Sequence, residues 1–126
     1  MTDIFKTKVF NRWSDKEGLT NEVLCNAIAE VEQGQVEASL GVYLFKKRVA
    51  RAGQGKSGSY RTIIAFKREE RAFFLFGFDK GSRSNISEKE EKALKKLSRY
   101  FMGCTNQELE RAVKDGALIE VKYEDE

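Results

Sequence analysis

The chain has 126 residues, 40% of them hydrophobic and 34% charged, with a formal net charge of +3; this is the size and make-up of a single globular domain over residues 1–126. It contains no histidine and no proline, which excludes histidine-based general bases, activated Ser-His or Cys-His nucleophiles and histidine zinc sites, and leaves turns to Gly, Asn, Asp and Ser. No apolar run reaches bilayer-spanning length and MTDIFKTKVF lacks a signal-peptide core, so a cytoplasmic protein with no membrane partner is expected, whose Cys25 and Cys104 are small buried apolar residues.

Taken in chain order, Ile4 to Phe10 alternates apolar Phe5, Thr7 and Val9 with Lys6 and Lys8, the period of a strand. Arg12 to Gly18 reads as a polar loop containing Trp13. Thr20 suits an N-cap, with Leu19 and Leu24 placed for a hydrophobic staple. Leu24, Ile28 and Val31 then repeat at helical spacing as far as Gly34, which predicts a helix over about 20–33. Leu40 to Val49 begins apolar and ends basic, and reads as one strand. A glycine-rich loop with Gly53, Gly55 and Gly58 follows. YRTIIAFK (Tyr60 to Lys67) is a strand by its β-branched and aromatic content. After a charged turn at Arg68 to Glu70, RAFFLFGF (Arg71 to Phe78) has the nearly unbroken apolarity of a strand covered on both faces. Ser87 with Glu90, and Thr105 with Glu108, are capping boxes that open two helices ending near Gly103 and Gly116. Ala117 to Val121 is a short last strand. The order predicts an α+β domain. Its antiparallel sheet is a meander of three strands plus the N-terminal strand, packed by an N-terminal helix and C-terminal helices.

Residues 50–57, ARAGQGKS, have the spacing of a phosphate-binding P-loop with Ala50 in place of the first glycine. Such a loop needs a helix immediately after it, whose N-terminal amides hold the phosphates. The sequence instead continues SGSYRTIIAF, a strand, so the nucleoside triphosphatase reading fails and a hairpin tip remains.

The flanks of that hairpin carry the charge. Lys46, Lys47, Arg48, Arg51, Lys56 and Arg61 occur between Lys46 and Arg61 with no acid among them, which suggests a localised polyanion site. Antiparallel pairing sets the two flanks side by side. It brings Lys47, Arg48 and Arg51 towards Lys56 and Arg61, with Tyr60 available to stack a base, and lets Lys80 and Arg83 join from the next strand end. The expectation is one concavity into which these cations converge. Arg61 is the most telling of them, because a guanidinium within a buried strand needs an anionic partner.

GKSGSYRTIIAF (Gly55 to Phe66) together with AFFLFGFDKGSRSNIS (Ala72 to Ser87) resembles the RelE/ParE superfamily of bacterial toxins, and within it the HigB-like branch of RelE. Lys56, Ser57, Gly58, Tyr60 and Arg61 match that branch's K-S-G-x-Y-R block. The resemblance implies a RelE-like fold and a type II toxin that cuts mRNA in the ribosome. Its partners would be a cognate antitoxin of helix-turn-helix type, the ribosome and mRNA, and it would need no cofactor and no metal. Arg61, Lys56, Lys80 and Arg83 would then be the catalytic candidates, and Lys47, Arg48, Arg51 and Tyr60 the RNA-binding ones. RNA supplies its own nucleophile in the 2′-OH, so clustered Arg and Lys donors suffice to align it and stabilise the phosphorane. Where some relatives carry a tyrosine after the basic loop, this chain has Ile86 and Ser87, which leaves the general acid and base unassigned. Two other readings stand beside this one. They are a ParE-like gyrase poison and a non-catalytic nucleic-acid-binding regulatory module.

Overall fold

The protein is described by a computed structural model that covers residues 2–51 and 55–122, with backbone alone over 55–58. In chain order the elements are β1 (Asp3–Thr7), α1 (Lys8–Glu17), α2 (Asn21–Glu32), β2 (Ala38–Gly41), β3 (Leu44–Arg51), β4 (Gly55–Lys67), β5 (Arg71–Asp79), α3 (Glu88–Gly103), α4 (Asn106–Lys114) and β6 (Leu118–Val121). The strands form one six-stranded sheet in the order β2-β3-β4-β5-β1-β6. All neighbours are antiparallel except β1 and β5, which run parallel.

The α+β class, the β3–β4–β5 meander and the three capped helices match the sequence. Thr20, Ser87 and Thr105 each accept a hydrogen bond from the third residue of the helix they precede, and the latter two form complete capping boxes. Three expectations need correction. The predicted loop around Trp13 is helix α1, opened by the Thr7 hydroxyl accepting from Phe10 N. The predicted strand from Leu40 to Val49 is two strands, β2 and β3, folded back at Val42 and Tyr43, which both have positive φ. The sheet is therefore larger than the expected meander plus one strand, and two N-terminal helices cover it instead of one.

Alternation along the strands divides the core in two. On one face Ile4, Val49, Tyr60, Ile64, Phe66 and Phe74 pack against Phe10 of α1 and Leu24, Ile28 and Val31 of α2. On the other, Phe5, Leu44, Ile63, Ala65, Phe73 and Leu75 pack against Leu94 and Phe101 of α3 and Leu109 of α4. Cys25 lies in the first cluster and Cys104 in the second. The near-continuous apolarity of β5 follows from this double coverage. Leu75 is an extra residue in β5, since Ile63 faces Phe76 while Ile64 faces Phe74. Among the described residues, no helix is long and apolar enough to cross a membrane.

Candidate nucleic-acid interface

Lys56 and Ser57 belong to β4, so no helix follows the glycine loop and the P-loop geometry is absent. The Lys56 side chain and residues 52–54 lie outside the described residues.

The expected single concavity does not form, because β3 and β4 send alternate cations to opposite faces of the sheet. On the α1/α2 face, Lys47 is buried and its Nζ lies 2.6 Å from Glu30 Oε1 of α2. Arg51 pairs with Asp79, and its guanidinium sits 4.7 Å above the Tyr60 ring. Tyr60 is 4% exposed; its hydroxyl donates to Glu17 Oε1 at 2.9 Å and its ring meets Trp13 edge-on at 5.2 Å. With one ring face under Arg51 and the other contacts internal, Tyr60 has no surface to offer a base. Burial, and then the Glu17 hydrogen bond, push its phenol above the ordinary tyrosine range. Lys47 and Tyr60 are thus engaged in holding the hairpin to α2 and α1, and Arg51 in holding it to the end of β5, so these three do not share a face with Arg48 and Arg61.

The α3/α4 face carries the remainder. Arg61 shares it with Ile63 and Ala65 by alternation, and Arg48 is its direct cross-strand partner. Arg61 is 3% exposed; its Nε donates to the Glu37 carboxylate, 2.9 Å from Oε1, and its Nη1 to Ser59 Oγ at 2.7 Å. The anionic partner demanded by its buried position is therefore Glu37, just before β2. Arg48 is exposed and pairs with no acid among the described residues. On Arg61's other side stands Phe78. Arg83 lies over Phe78 and Phe76 at 5.5 and 5.7 Å and is held by Glu90 of α3. The Arg83 guanidinium, and then the Ser87 N–H, hold the Glu90 carboxyl below its usual range. Lys46 Nζ donates to Asn85 Oδ1 at 3.0 Å on the same side. Lys80 is exposed in the turn after β5.

The result is a row, Arg48–Arg61–Phe78–Arg83, across three adjacent strands and the loop beyond them. Like charges directly opposite each other destabilise a sheet; here Glu37 offsets the charge of Arg61, which leaves Arg48 as the exposed cation of the pair. Two residues of this site escaped the sequence reading. Glu37 lies in an unpatterned stretch, and its role appears only when β2 brings it against β3. Asp79 accepts from Gly81 N at 2.8 Å while pairing with Arg51, so it folds the turn that carries Lys80. The D-x-G spacing of Asp79 and Gly81 was the available signal. Among the described residues, no group of three or more His, Cys, Asp or Glu is arranged to hold a metal ion.

With this architecture and basic face described, the chain can be classed. Residues 2–121 match the family model of the RelE toxin of the RelE/RelB toxin-antitoxin system. That span is nearly the whole chain: the protein belongs to the RelE toxin family, and is a toxin whose partner is an antitoxin. No curated protein matches it.

Proposed function

We propose that this toxin is an endoribonuclease whose active face is the α3-side row of Arg48, Arg61 and Arg83, with Lys80 in the turn beyond β5 and Lys56 as a further candidate, and that it cuts mRNA on the ribosome in the cytoplasm. The observation that carries the reading is the cross-strand pairing of Arg48 with Arg61, two neighbouring cations, one exposed and one held in place, whose apposition suits a phosphodiester. Family membership supports the toxin role, and the K-S-G-x-Y-R block at Lys56 to Arg61 favours the HigB-like branch.

In this mechanism exposed Arg48 meets the scissile phosphate first. The phosphate then replaces Glu37 on the Arg61 guanidinium. Glu37, released beside the site, takes the proton of the 2′-OH, and the 2′-oxygen attacks phosphorus in line. The bond from phosphorus to the 5′-oxygen breaks, and the 5′-oxygen takes a proton from an ammonium group, for which Lys56 and Lys80 are the candidates. The products are a 2′,3′-cyclic phosphate and a 5′-OH. Arg48 and Arg61 stabilise the charge that develops on the phosphorane, a contribution of about 3 kcal/mol per donor.

The test is induction of the toxin in cells with primer-extension mapping of mRNA 5′ ends beside a supercoiling assay of plasmid DNA. New mRNA ends with unaltered supercoiling are expected, and Arg61→Ala is expected to abolish both the ends and the growth arrest while the purified variant keeps its circular dichroism spectrum. Relaxed plasmid with intact mRNA would replace this reading with gyrase poisoning.

A further inference from the structure

β3 extends beyond its edge partner. β2 pairs with it only over Leu44 to Lys46, and the last backbone contact on that side is Glu37 N donating to Lys46 O at 2.8 Å. Among the described residues nothing hydrogen-bonds the outer edge of β3 from Arg48 to Arg51. Lys46 directs its carbonyl outward, and alternation directs the Arg48 N–H and C=O the same way. Beside this bare edge runs a groove of about 580 Å³ between α2 and β3. Val23, Ala27, Val36 and Val49 supply its apolar lining. Of the charges around it, Glu30 is neutralised by Lys47 and Glu37 by Arg61, which leaves Arg48 as the uncompensated one.

We propose that this edge is a docking site for the antitoxin, which adds an extended segment as a strand along Arg48 to Arg51. One apolar side chain of the segment enters the α2–β3 groove, and a neighbouring carboxylate pairs with Arg48. Strand addition supplies main-chain hydrogen bonds, and the alternate-residue pocket supplies selectivity. The charge left over at Arg48 selects an acidic, apolar-anchored peptide over a basic one. A segment seated here also occupies the arginine to which the nucleic acid is proposed to bind first, so neutralisation follows from simple competition. The inference rests on membership of a toxin-antitoxin family, and the strand-addition part of it stands whether or not the ribonuclease reading does.

The experiment is amide hydrogen exchange, at single-residue resolution, on the full chain alone and saturated with its antitoxin, taken as the polypeptide from the adjacent reading frame whose co-expression restores growth. The Arg48 amide is expected to exchange at least tenfold more slowly in the complex, with the opposite sheet edge at β6 unchanged. Asn26→Trp, an exposed groove residue of α2 outside the proposed catalytic set, is expected to weaken antitoxin binding at least tenfold while leaving growth arrest intact. Protection at β6 or α4 with Arg48 unchanged would overturn the proposal. So would a toxin that self-associates through β3 when alone, or undiminished antitoxin binding by the Asn26 variant. Loss of mRNA cleavage bears only on the ribonuclease reading, since neither measurement depends on it.

Discussion

At the scale of single residues, one glycine explains a contact that no pattern announces. Gly77 sits in β5 with Trp13 of α1 lying flat over it, and a Cβ built there would be 2.3 Å from Trp13 Cζ3. The missing side chain lets α1 approach the sheet, and Trp13 in turn buttresses Tyr60 and Phe10. Gly77→Ala is expected to destabilise the protein by about 2 kcal/mol, the usual cost of overpacking, measured by urea denaturation. Arg71 shows the same economy at the other end of β5. Its Nη1 donates to the carbonyls of Phe101 and Cys104 at 3.0 and 2.6 Å and its Nη2 to Asn106 Oδ1 at 3.1 Å. These bonds brace the C-terminal carbonyls of α3 and fix the start of α4.

At the scale of elements, the tight reversal between β2 and β3 carries stored strain. Val42 and Tyr43 have φ of 53° and 60°, which is unfavourable for side chains with a Cβ and most of all for a β-branched one. The turn is held from outside: Ser98 Oγ of α3 donates to Val42 O at 2.7 Å, and Phe66 N donates to Tyr43 O at 2.8 Å. Val42→Asn is expected to stabilise the fold by about 1 kcal/mol, read as a raised denaturation midpoint; an unchanged or lowered one would contradict the strain. The same turn explains why β2 was not legible. A primed hairpin is normally announced by Asn-Gly or Asp-Gly, and Val42-Tyr43 carries no such mark, so its flanks read as one strand. α1 was hidden for a related reason. Its N-cap Thr7 is also the last residue of β1, so the alternation of the strand ran on into the helix. Asn11, Ser14 and Asp15 then gave that helix the composition of a loop. The capped helices and the apolar β5 were legible because caps and periodicity are local signals. The division of the cations was within reach of the same alternation, since Lys47 and Arg48 must point to opposite faces. What the sequence lacked was the partner of each, Glu30 and Glu37, which only the packing of α2 and β2 brings into contact.

At the scale of the whole molecule, ion pairs brace both faces of the sheet at the same end. Arg51 and Asp79 tie the end of β3 to the end of β5 on the α1/α2 side, while Arg83 and Glu90 tie the turn after β5 to α3 on the other. The Gly81 N–H, and then Arg51, hold the Asp79 carboxyl below its usual range, as Arg83 does for Glu90. The unfolded chain binds protons at these positions more readily than the folded one. The stabilisation is therefore present above the ordinary carboxylate pKa of about 4 and lost as pH falls through the lowered folded values. Thermal midpoints are expected to be level from pH 7 to pH 5 and to drop below pH 4. Asp79→Asn is expected to start from a lower midpoint and lose less on acidification; an identical acid-side slope would remove Asp79 from that account.

The central claim is that RNA is cut on the α3 side of the sheet, by Arg48 and Arg61. Its most direct test is single-turnover cleavage of mRNA on programmed ribosomes by purified variants, with the new ends analysed for 2′,3′-cyclic phosphate. Arg48→Ala and Arg61→Ala are expected to lower the rate by about 100-fold or more each, whereas Lys47→Ala and Tyr60→Phe, folded at the assay temperature, stay within a few fold of the parent. Cleavage that survives loss of Arg48 and Arg61 but fails with Lys47 or Tyr60 would contradict the claim and move the site to the other face.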